Sequence, residues 1–159
     1  MLAIGSQLPD MTLQDDQGRE VRLRELPSPY VLYFYPADDT PGCTKEACNF
    51  RDNYGTFQKA GVEVYGVSPD TVESHTKFKD KYELPFPLLA DPEHKLAEAL
   101  GAWGEKNMYG KKSVGILRTT FIIGPNGTVQ RVYPKVKPDE HATEILQDLN
   151  TDSGQREQA

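Results

Sequence analysis

The sequence predicts an α/β fold built on a mixed central sheet flanked by helices. Two features of the pattern indicate it. A strongly apolar run at 30–35 precedes a helical pattern over about 42–60, and a second apolar run follows at 62–67. This is the order of a βαβ unit with parallel strands and a right-handed crossover. Later in the chain, the segments 116–123 and 128–133 flank the turn sequence Gly-Pro-Asn-Gly, which predicts an antiparallel hairpin.

The remaining elements extend this pattern toward both ends of the chain. The segments 11–13 and 21–23 flank Asp-Asp-Gln-Gly, which predicts an N-terminal β-hairpin extension. Further predictions, in chain order, are an exposed amphipathic helix over 71–82, a short strand near Leu88, a short helix over 92–100, a polar loop over 104–113 and a closing helix over about 138–149. This order of elements around a mixed sheet resembles the thioredoxin-like fold.

Length and composition limit the class of protein. A chain of 159 residues, 37% of them hydrophobic, predicts a single domain over 1–150. Residues 151–159 contain no apolar side chain except the terminal Ala159, and we expect this tail to be disordered. A net charge of −6 without a basic run argues against binding to nucleic acid. No apolar stretch approaches the ~18 residues of a membrane span, so we expect no membrane association.

The two cysteines suggest redox chemistry in a reducing compartment. The N-terminus lacks a charged region followed by an apolar one, so we expect no signal peptide and a cytoplasmic location. Close cysteines in the cytosol are more often catalytic, redox-sensing or metal-binding than structural. We expect neither a metal nor a cofactor, because metal-ligand spacing and Gly-rich phosphate loops are missing. Three histidines lie among charged residues and are expected at the surface: His75, His94 and His141.

Cys43 lies where a helix begins. It heads a stripe at helical spacing that should face the core, made of Cys43, Ala47, Phe50, Tyr54 and Phe57. Thr40 is the expected N-cap and Pro41 the first helical residue, which places Cys43 third. The free N–H groups and the partial positive charge of a helix N-terminus favour a thiolate. The alternative is that Cys43 is a small apolar core residue.

Cys48 lies five residues further along the same predicted helix. Helix geometry separates two such Cα atoms by about 8.6 Å, whereas a disulfide requires ~4.4–6.8 Å. The two sulfur atoms therefore cannot bond while the helix is intact. The pair is either two unrelated thiols or a redox switch coupled to local unwinding.

The pattern Pro36-x3-Thr40-x2-Cys43 resembles the peroxiredoxins, and within them the group of the bacterioferritin comigratory protein, or peroxiredoxin Q. Three further segments carry the resemblance, which covers about residues 4–149: 44–52, 101–106 and 118–123. Every position of these motifs matches. Members of the group differ in whether the second cysteine is present, and here it is Cys48.

The resemblance implies a thiol peroxidase that reduces hydrogen peroxide and organic hydroperoxides. Cys43 is then the peroxidatic cysteine, which becomes a sulfenic acid, and Cys48 is the resolving cysteine, which converts it to an intramolecular disulfide. A thioredoxin-type dithiol reduces that disulfide. Thr40 and Arg118 match the residues that hold the peroxide and polarise the thiolate, and Pro36 matches the proline that shields the sulfur from water. Because resolution occurs within one chain, we expect a monomer.

The residues themselves leave alternatives to these roles. Arg118 lies in a predicted apolar strand, where an unpaired charge is costly, and could instead lie on an exposed edge or pair with a carboxylate. Thr40 could be a helix cap alone, and Glu46 is expected to complement the helix dipole. Two other functions are alternatives to a peroxidase. A thioredoxin-type disulfide reductase needs a Cys-x-x-Cys motif, which this sequence lacks. A redox-sensing interaction module fits the cysteine pair as well as a peroxidase does, and it would differ from a peroxidase in its rate of oxidation.

Overall fold

A seven-stranded mixed sheet forms the centre of the computed structural model, which describes residues 1–108 and 110–158. The strands, in chain order, are β1 (Thr12–Asp15), β2 (Glu20–Arg22), β3 (Tyr30–Phe34), β4 (Glu63–Ser68), β5 (Leu88–Ala90), β6 (Trp103–Met108), β7 (Lys111–Ile116), β8 (Thr120–Ile123) and β9 (Val129–Tyr133). The helices are α1 (Pro41–Lys59), α2 (Val72–Tyr82), α3 (Lys95–Leu100) and α4 (His141–Gln158).

The sheet has the strand order β2-β1-β5-β4-β3-β8-β9, and β6 and β7 form a separate two-stranded sheet. β3 pairs in parallel with β4 and antiparallel with β8. β4 also pairs in parallel with β5, while the pairs at both edges are antiparallel. The predicted mixed sheet, its parallel βαβ unit and its N-terminal hairpin are therefore confirmed.

Alternation along β3 divides the core into two layers. Tyr30, Leu32 and Phe34 point to the layer that contains α3. Val31 and Tyr33 point to the opposite layer, which contains buried side chains of α1, α2 and α4. All five residues of β3 are buried, as expected for a strand covered on both faces.

α1 follows β3 and presents the predicted stripe to the core. Cys43, Ala47, Phe50 and Phe57 are buried, and Tyr54 is partly buried against the same cluster. The helix begins at Pro41 and ends at Lys59. It cannot continue through Gly61, whose φ of +75° lies in the left-handed region.

α1 also supports α4, because the backbone N–H of Ala142 donates to Oδ1 of Asn49 at 2.8 Å. The sequence predicted an end of α4 near 149, but the helix continues to Gln158. The segment lacks proline and ends in Gln, Arg, Glu and Gln, which favour helix. The sequence predicts disorder over 151–159, whereas the structure has helix through Gln158. Ala159 lies outside the described residues.

Two predictions between α3 and β9 were wrong. The described residues of the expected polar loop over 104–113 belong to the antiparallel hairpin of β6 and β7, which runs from Trp103 paired with Ile116 to Met108 paired with Lys111. Residue 109 lies outside the described residues. The sequence hides these strands because most of their described side chains are polar and not buried, so an apolar alternation is missing. The strand expected over 116–123 begins only at Thr120, and Arg118 lies in the short connection before it rather than inside a strand.

Two of the three histidines expected at the surface are buried. The side chains of His75 and His141 are 0% exposed. Nδ1 of His75 lies 2.8 Å from Oδ2 of Asp38, and Nε2 of His141 lies 2.7 Å from Oγ1 of Thr120. Such partners allow a polar ring to be buried, and their distance along the chain conceals the pairing in the sequence. His94 is partly exposed and stacks on Trp103, with 3.7 Å between the ring centroids.

Candidate active site

The thiol of Cys43 lies in the first turn of α1 and is 1% exposed. Pro41 is the first helical residue, so Cys43 is third, as predicted. Thr40 occupies the N-cap position, but its hydroxyl makes no capping hydrogen bond to the described helix. It donates instead to the carbonyl oxygen of Ala37 at 3.0 Å. The side chain of Thr40 therefore does not cap the first N–H groups of the helix turn that carries Cys43.

Arg118 brings a cation to this thiol from a distant part of the chain. Its Nη2 donates to Sγ of Cys43 at 3.3 Å, and its Nη1 donates to Oε1 of Glu46 at 2.8 Å. Burial opposes the charge, but Glu46 and Cys43 raise the pKa of Arg118 above its usual value, so the guanidinium stays cationic. Gly42 permits this approach, because a Cβ at that position would lie 3.2 Å from Nη2.

Glu46 does not have the role of complementing the helix dipole that the sequence suggested, since no acidic residue lies in the first turn of α1. Its side chain is 0% exposed and forms an ion pair with Arg118. Burial raises the pKa of Glu46 to about 7, although the charge and hydrogen bond of Arg118 act in the opposite direction. One signal in the sequence could have revealed this: Glu46 is three residues after Cys43 and one before Ala47, on the buried face of the helix.

Two further polar groups surround the pair. Burial and then the positive charge of Arg118 lower the pKa of Lys106, and the charge of Cys43 opposes them, so the amino group of Lys106 interacts with both site residues. Burial, followed by the negative charges of Glu46 and Cys43, raises the pKa of Tyr33 well above its usual value. Within the described chain, Oη of Tyr33 and Oε2 of Glu46 are buried without a hydrogen-bond partner. Neither Lys106 nor Tyr33 was identified as a site residue from the sequence.

Pro36 and Thr40 belong to the segment that joins β3 to α1, and both are half-buried. Thr40 directly precedes the helix that carries Cys43. The structure thus brings Arg118 into contact with Cys43, and it places Thr40 and Pro36 before the same helix terminus.

Cys48 is half-buried on the same intact helix, and both cysteines are free thiols. Arg51 lies one helical turn further on. Its hydrogen bond to Asp52 raises its pKa, burial opposes this, and the charge of Cys48 adds to the increase. Cys48 is therefore close to a cation, yet the continuous helix holds it away from Cys43, as the spacing predicted.

The described residues contain no group of three or more His, Cys, Asp or Glu side chains arranged to hold a metal ion. None of the helices over the same residues combines the length and the apolar character needed to cross a membrane. The polar groups around Cys43 are instead protein cations and one carboxylate. Of these groups, the cation of Arg118 can stabilise negative charge on sulfur and on an adjacent oxygen.

A thioredoxin-like sheet that carries a buried thiol at a helix N-terminus, bound by a guanidinium, defines a class of thiol-based redox protein. The chain belongs to the AhpC/TSA family, whose model matches residues 4–132. It is 48% identical over 149 residues to peroxiredoxin Bcp of Bacillus subtilis, with 93% of this chain and 95% of the relative covered.

Solved structures of peroxiredoxin Q proteins superpose on this chain. The bacterioferritin comigratory protein of Xanthomonas campestris, studied for its alkyl peroxide reduction activity, superposes with a TM-score of 0.86 at 38% identity, covering 96% of this chain and 98% of that one. A mutant of PrxQ from Xylella fastidiosa superposes with a TM-score of 0.89 at 34% identity, covering 96% and 98% of the two chains. The resemblance to the peroxiredoxin Q group and to its thioredoxin-like fold is confirmed.

Proposed function

We propose that the protein is a thioredoxin-dependent peroxidase in which Cys43 is oxidised by the peroxide and Cys48 resolves the product. The observation that carries the proposal is the hydrogen bond from Nη2 of Arg118 to Sγ of Cys43 at a helix N-terminus. The guanidinium and the helix N–H groups stabilise the thiolate that a peroxide requires as its nucleophile.

In the first step, the thiolate of Cys43 attacks the terminal peroxide oxygen. The S–O bond forms as the O–O bond breaks, and the departing hydroxide or alkoxide takes up a proton. Negative charge moves from sulfur to the leaving oxygen, and Arg118 is a fixed cation whose N–H groups can follow that movement. We assign Thr40 to holding the peroxide in line with sulfur and Pro36 to excluding water from it.

In the second step, Cys48 attacks the sulfur of the Cys43 sulfenic acid. The S–O bond breaks, the S–S bond forms, and the hydroxyl group leaves as water with the proton of the second thiol. About 8.6 Å separates the Cα atoms of residues five apart in a helix, so the first turns of α1 must unwind before this bond can form.

A thioredoxin-type dithiol then reduces the disulfide by thiol–disulfide exchange. The peroxide substrates include organic hydroperoxides, a choice supported by the alkyl peroxide reduction studied in the Xanthomonas relative. We further propose that the enzyme acts as a monomer, since both cysteines of the cycle belong to one chain, and that it acts in the reducing cytoplasm.

The test is a peroxide consumption assay on the wild type, Cys43→Ser and Cys48→Ser, with thioredoxin and glutathione reducing systems compared. We expect Cys43→Ser to consume no peroxide and the wild type to turn over many equivalents with thioredoxin. Consumption by Cys43→Ser would contradict the assignment. A wild type that oxidises once and slowly, without turnover, would favour the redox-sensing module.

A further inference from the structure

Asp38 connects the segment before the catalytic helix to α2. Its carboxylate accepts hydrogen bonds from Oγ of Ser74 at 2.7 Å and from Oη of Tyr35 at 2.6 Å. Nδ1 of His75 lies 2.8 Å from the same carboxylate, and the other ring nitrogen lies 2.9 Å from the carbonyl oxygen of Leu89. Both ring nitrogens of His75 therefore lie within hydrogen-bond distance of an oxygen atom. The side chains of Asp38 and His75 are 4% and 0% exposed.

Asp39 adds a second, more exposed connection at the other end of α2. Its carboxylate accepts hydrogen bonds from Nζ of Lys81 and Oη of Tyr82, each at 2.7 Å. The backbone of Asp39 has a φ of +55°. A non-glycine residue adopts this left-handed conformation at a cost and keeps it where its surroundings hold it. The contacts to α2 supply that constraint directly before Thr40.

α2 also holds α1 on the far side of the two cysteines. Nη1 of Arg51 donates to the carbonyl oxygen of Tyr82 at 2.8 Å. The segment from Thr40 to Phe50, which contains Cys43 and Cys48, is therefore attached to one helix both before its start and after its end.

These attachments oppose the movement that the second chemical step requires. Beyond Cys48, α1 is fixed in the core by the buried side chains of Phe50 and Phe57. The chain that can move is the part before the helix, and Asp38 and Asp39 hold that part. Cys43 must leave its place in the first turn before its sulfur can reach Cys48. The segment that precedes the turn, which includes Asp38 and Asp39, must therefore move with it.

We propose that the contacts of Asp38 and Asp39 with Ser74, His75, Lys81 and Tyr82 form a latch that sets the rate at which the Cys43–Cys48 disulfide closes. The inference rests on the resolving role proposed for Cys48. Asp38 and Asp39 are positioning residues: closed, the latch keeps Cys43 beside Arg118 for reaction with peroxide, and open, it releases the first turn of α1. The latch thereby also sets how long the sulfenic acid stays exposed to a second peroxide molecule.

The experiment weakens the exposed half of the latch and leaves the catalytic residues unchanged. The double variant Lys81→Met with Tyr82→Phe removes both donors to Asp39 and keeps the packing of the Tyr82 ring on Phe78. The matched control is Lys79→Met, which removes a different ion pair of α2, the one between Lys79 and Asp16 at 3.1 Å. One equivalent of peroxide is mixed with each reduced protein, and sulfenic acid and disulfide are followed over time by rapid quenching and mass analysis.

We expect the disulfide of the double variant to close about threefold to tenfold faster than in the wild type, the effect of losing two exposed polar contacts. Formation of the sulfenic acid should keep its wild-type rate, and the fraction of Cys43 overoxidised at high peroxide should fall. The Lys79→Met variant should close at the wild-type rate.

Unchanged closure in the double variant, or equal acceleration in the Lys79→Met control, would overturn the latch. Slower sulfenic acid formation without faster disulfide closure would overturn it too, because the contacts would then serve the first step alone. A wild type that forms sulfenic acid but no Cys43–Cys48 disulfide would instead refute the resolving role on which the latch rests.

Discussion

The guanidinium of Arg118 lies 3.3 Å from the sulfur of Cys43, although 75 positions separate the two residues in the chain. The same guanidinium binds the buried carboxylate of Glu46 through its other terminal nitrogen. One partly exposed cation thus contacts two buried groups, the thiol of Cys43 and the carboxylate of Glu46. Glu46 and Cys43 raise the pKa of Arg118, and Arg118 in turn opposes the rise in the pKa of Glu46.

Replacement of Arg118 by alanine should affect both chemistry and stability. Loss of its donors should slow sulfenic acid formation by about 10²–10³-fold. The variant also leaves Glu46 buried without its cation, so the free energy of unfolding should fall at neutral pH. The loss of stability follows from the ion pair between Arg118 and the fully buried Glu46.

The double variant Arg118→Ala with Glu46→Gln separates the two effects of this substitution. It should recover stability in thermal unfolding and not recover the oxidation rate measured by stopped-flow mixing. Recovery of the rate in the double variant would show that Arg118 acts through Glu46 rather than on the thiolate.

Glu46 should make stability depend on pH. Burial raises its pKa to about 7 in the folded protein, against an ordinary value of 4.5. A raised carboxyl pKa contributes stability that is complete below the unfolded value and is lost as pH rises through the folded value. From pH 4.5 to pH 8, the free energy of unfolding should therefore fall in the wild type relative to Glu46→Gln, by up to about 3 kcal/mol. Denaturant unfolding across this range measures it, and parallel curves for the two proteins would exclude the raised pKa.

Gly42 should be required for the approach of Arg118 to the thiol. In Gly42→Ala, a Cβ 3.2 Å from Nη2 would force the guanidinium to shift, and the first oxidation should slow about tenfold through misplacement of that donor. Gly55→Ala is the matched control, because it lies on the same helix with nothing within 4 Å of the new Cβ. The control should gain up to about 1 kcal/mol of stability and keep the wild-type rate. Equal rates in the two alanine variants would contradict a steric role for position 42.

Replacement of Cys48 by serine should leave the first oxidation intact and prevent disulfide formation. The sulfenic acid of Cys43 then stays available to further peroxide and should progress to sulfinic acid. Whole-protein mass analysis after stepwise addition of peroxide distinguishes these products. Persistence of a single oxygen on Cys43 at high peroxide would show that resolution is not what protects this thiol.

The sequence was sufficient for those parts of the fold that depend on local pattern. Apolar periodicity located β3, α1 and β4, and the turn chemistry around Pro41 placed Cys43 at the third helical position. The same reasoning failed where a polar strand has little buried surface, as in the hairpin of β6 and β7. Periodicity carries no signal in such a strand.

It also failed where a polar side chain is buried beside a partner far along the chain. Glu46 is separated from Arg118 by 72 positions, and His75 from Asp38 by 37. Charge and polarity alone predict exposure for such residues. Only the folded arrangement reveals the partner that makes burial possible.

Asn49 directly follows Cys48, and its side-chain oxygen accepts a hydrogen bond from the backbone N–H of Ala142 in the first turn of α4. If α1 unwound beyond Cys48, this hydrogen bond would break and the N–H of Ala142 would lose its acceptor. In the oxidised protein, α1 should therefore unwind only as far as Cys48, and α4 should keep its place against α1. This boundary makes the rearrangement small, local and readily reversed once the sulfur–sulfur bond is reduced.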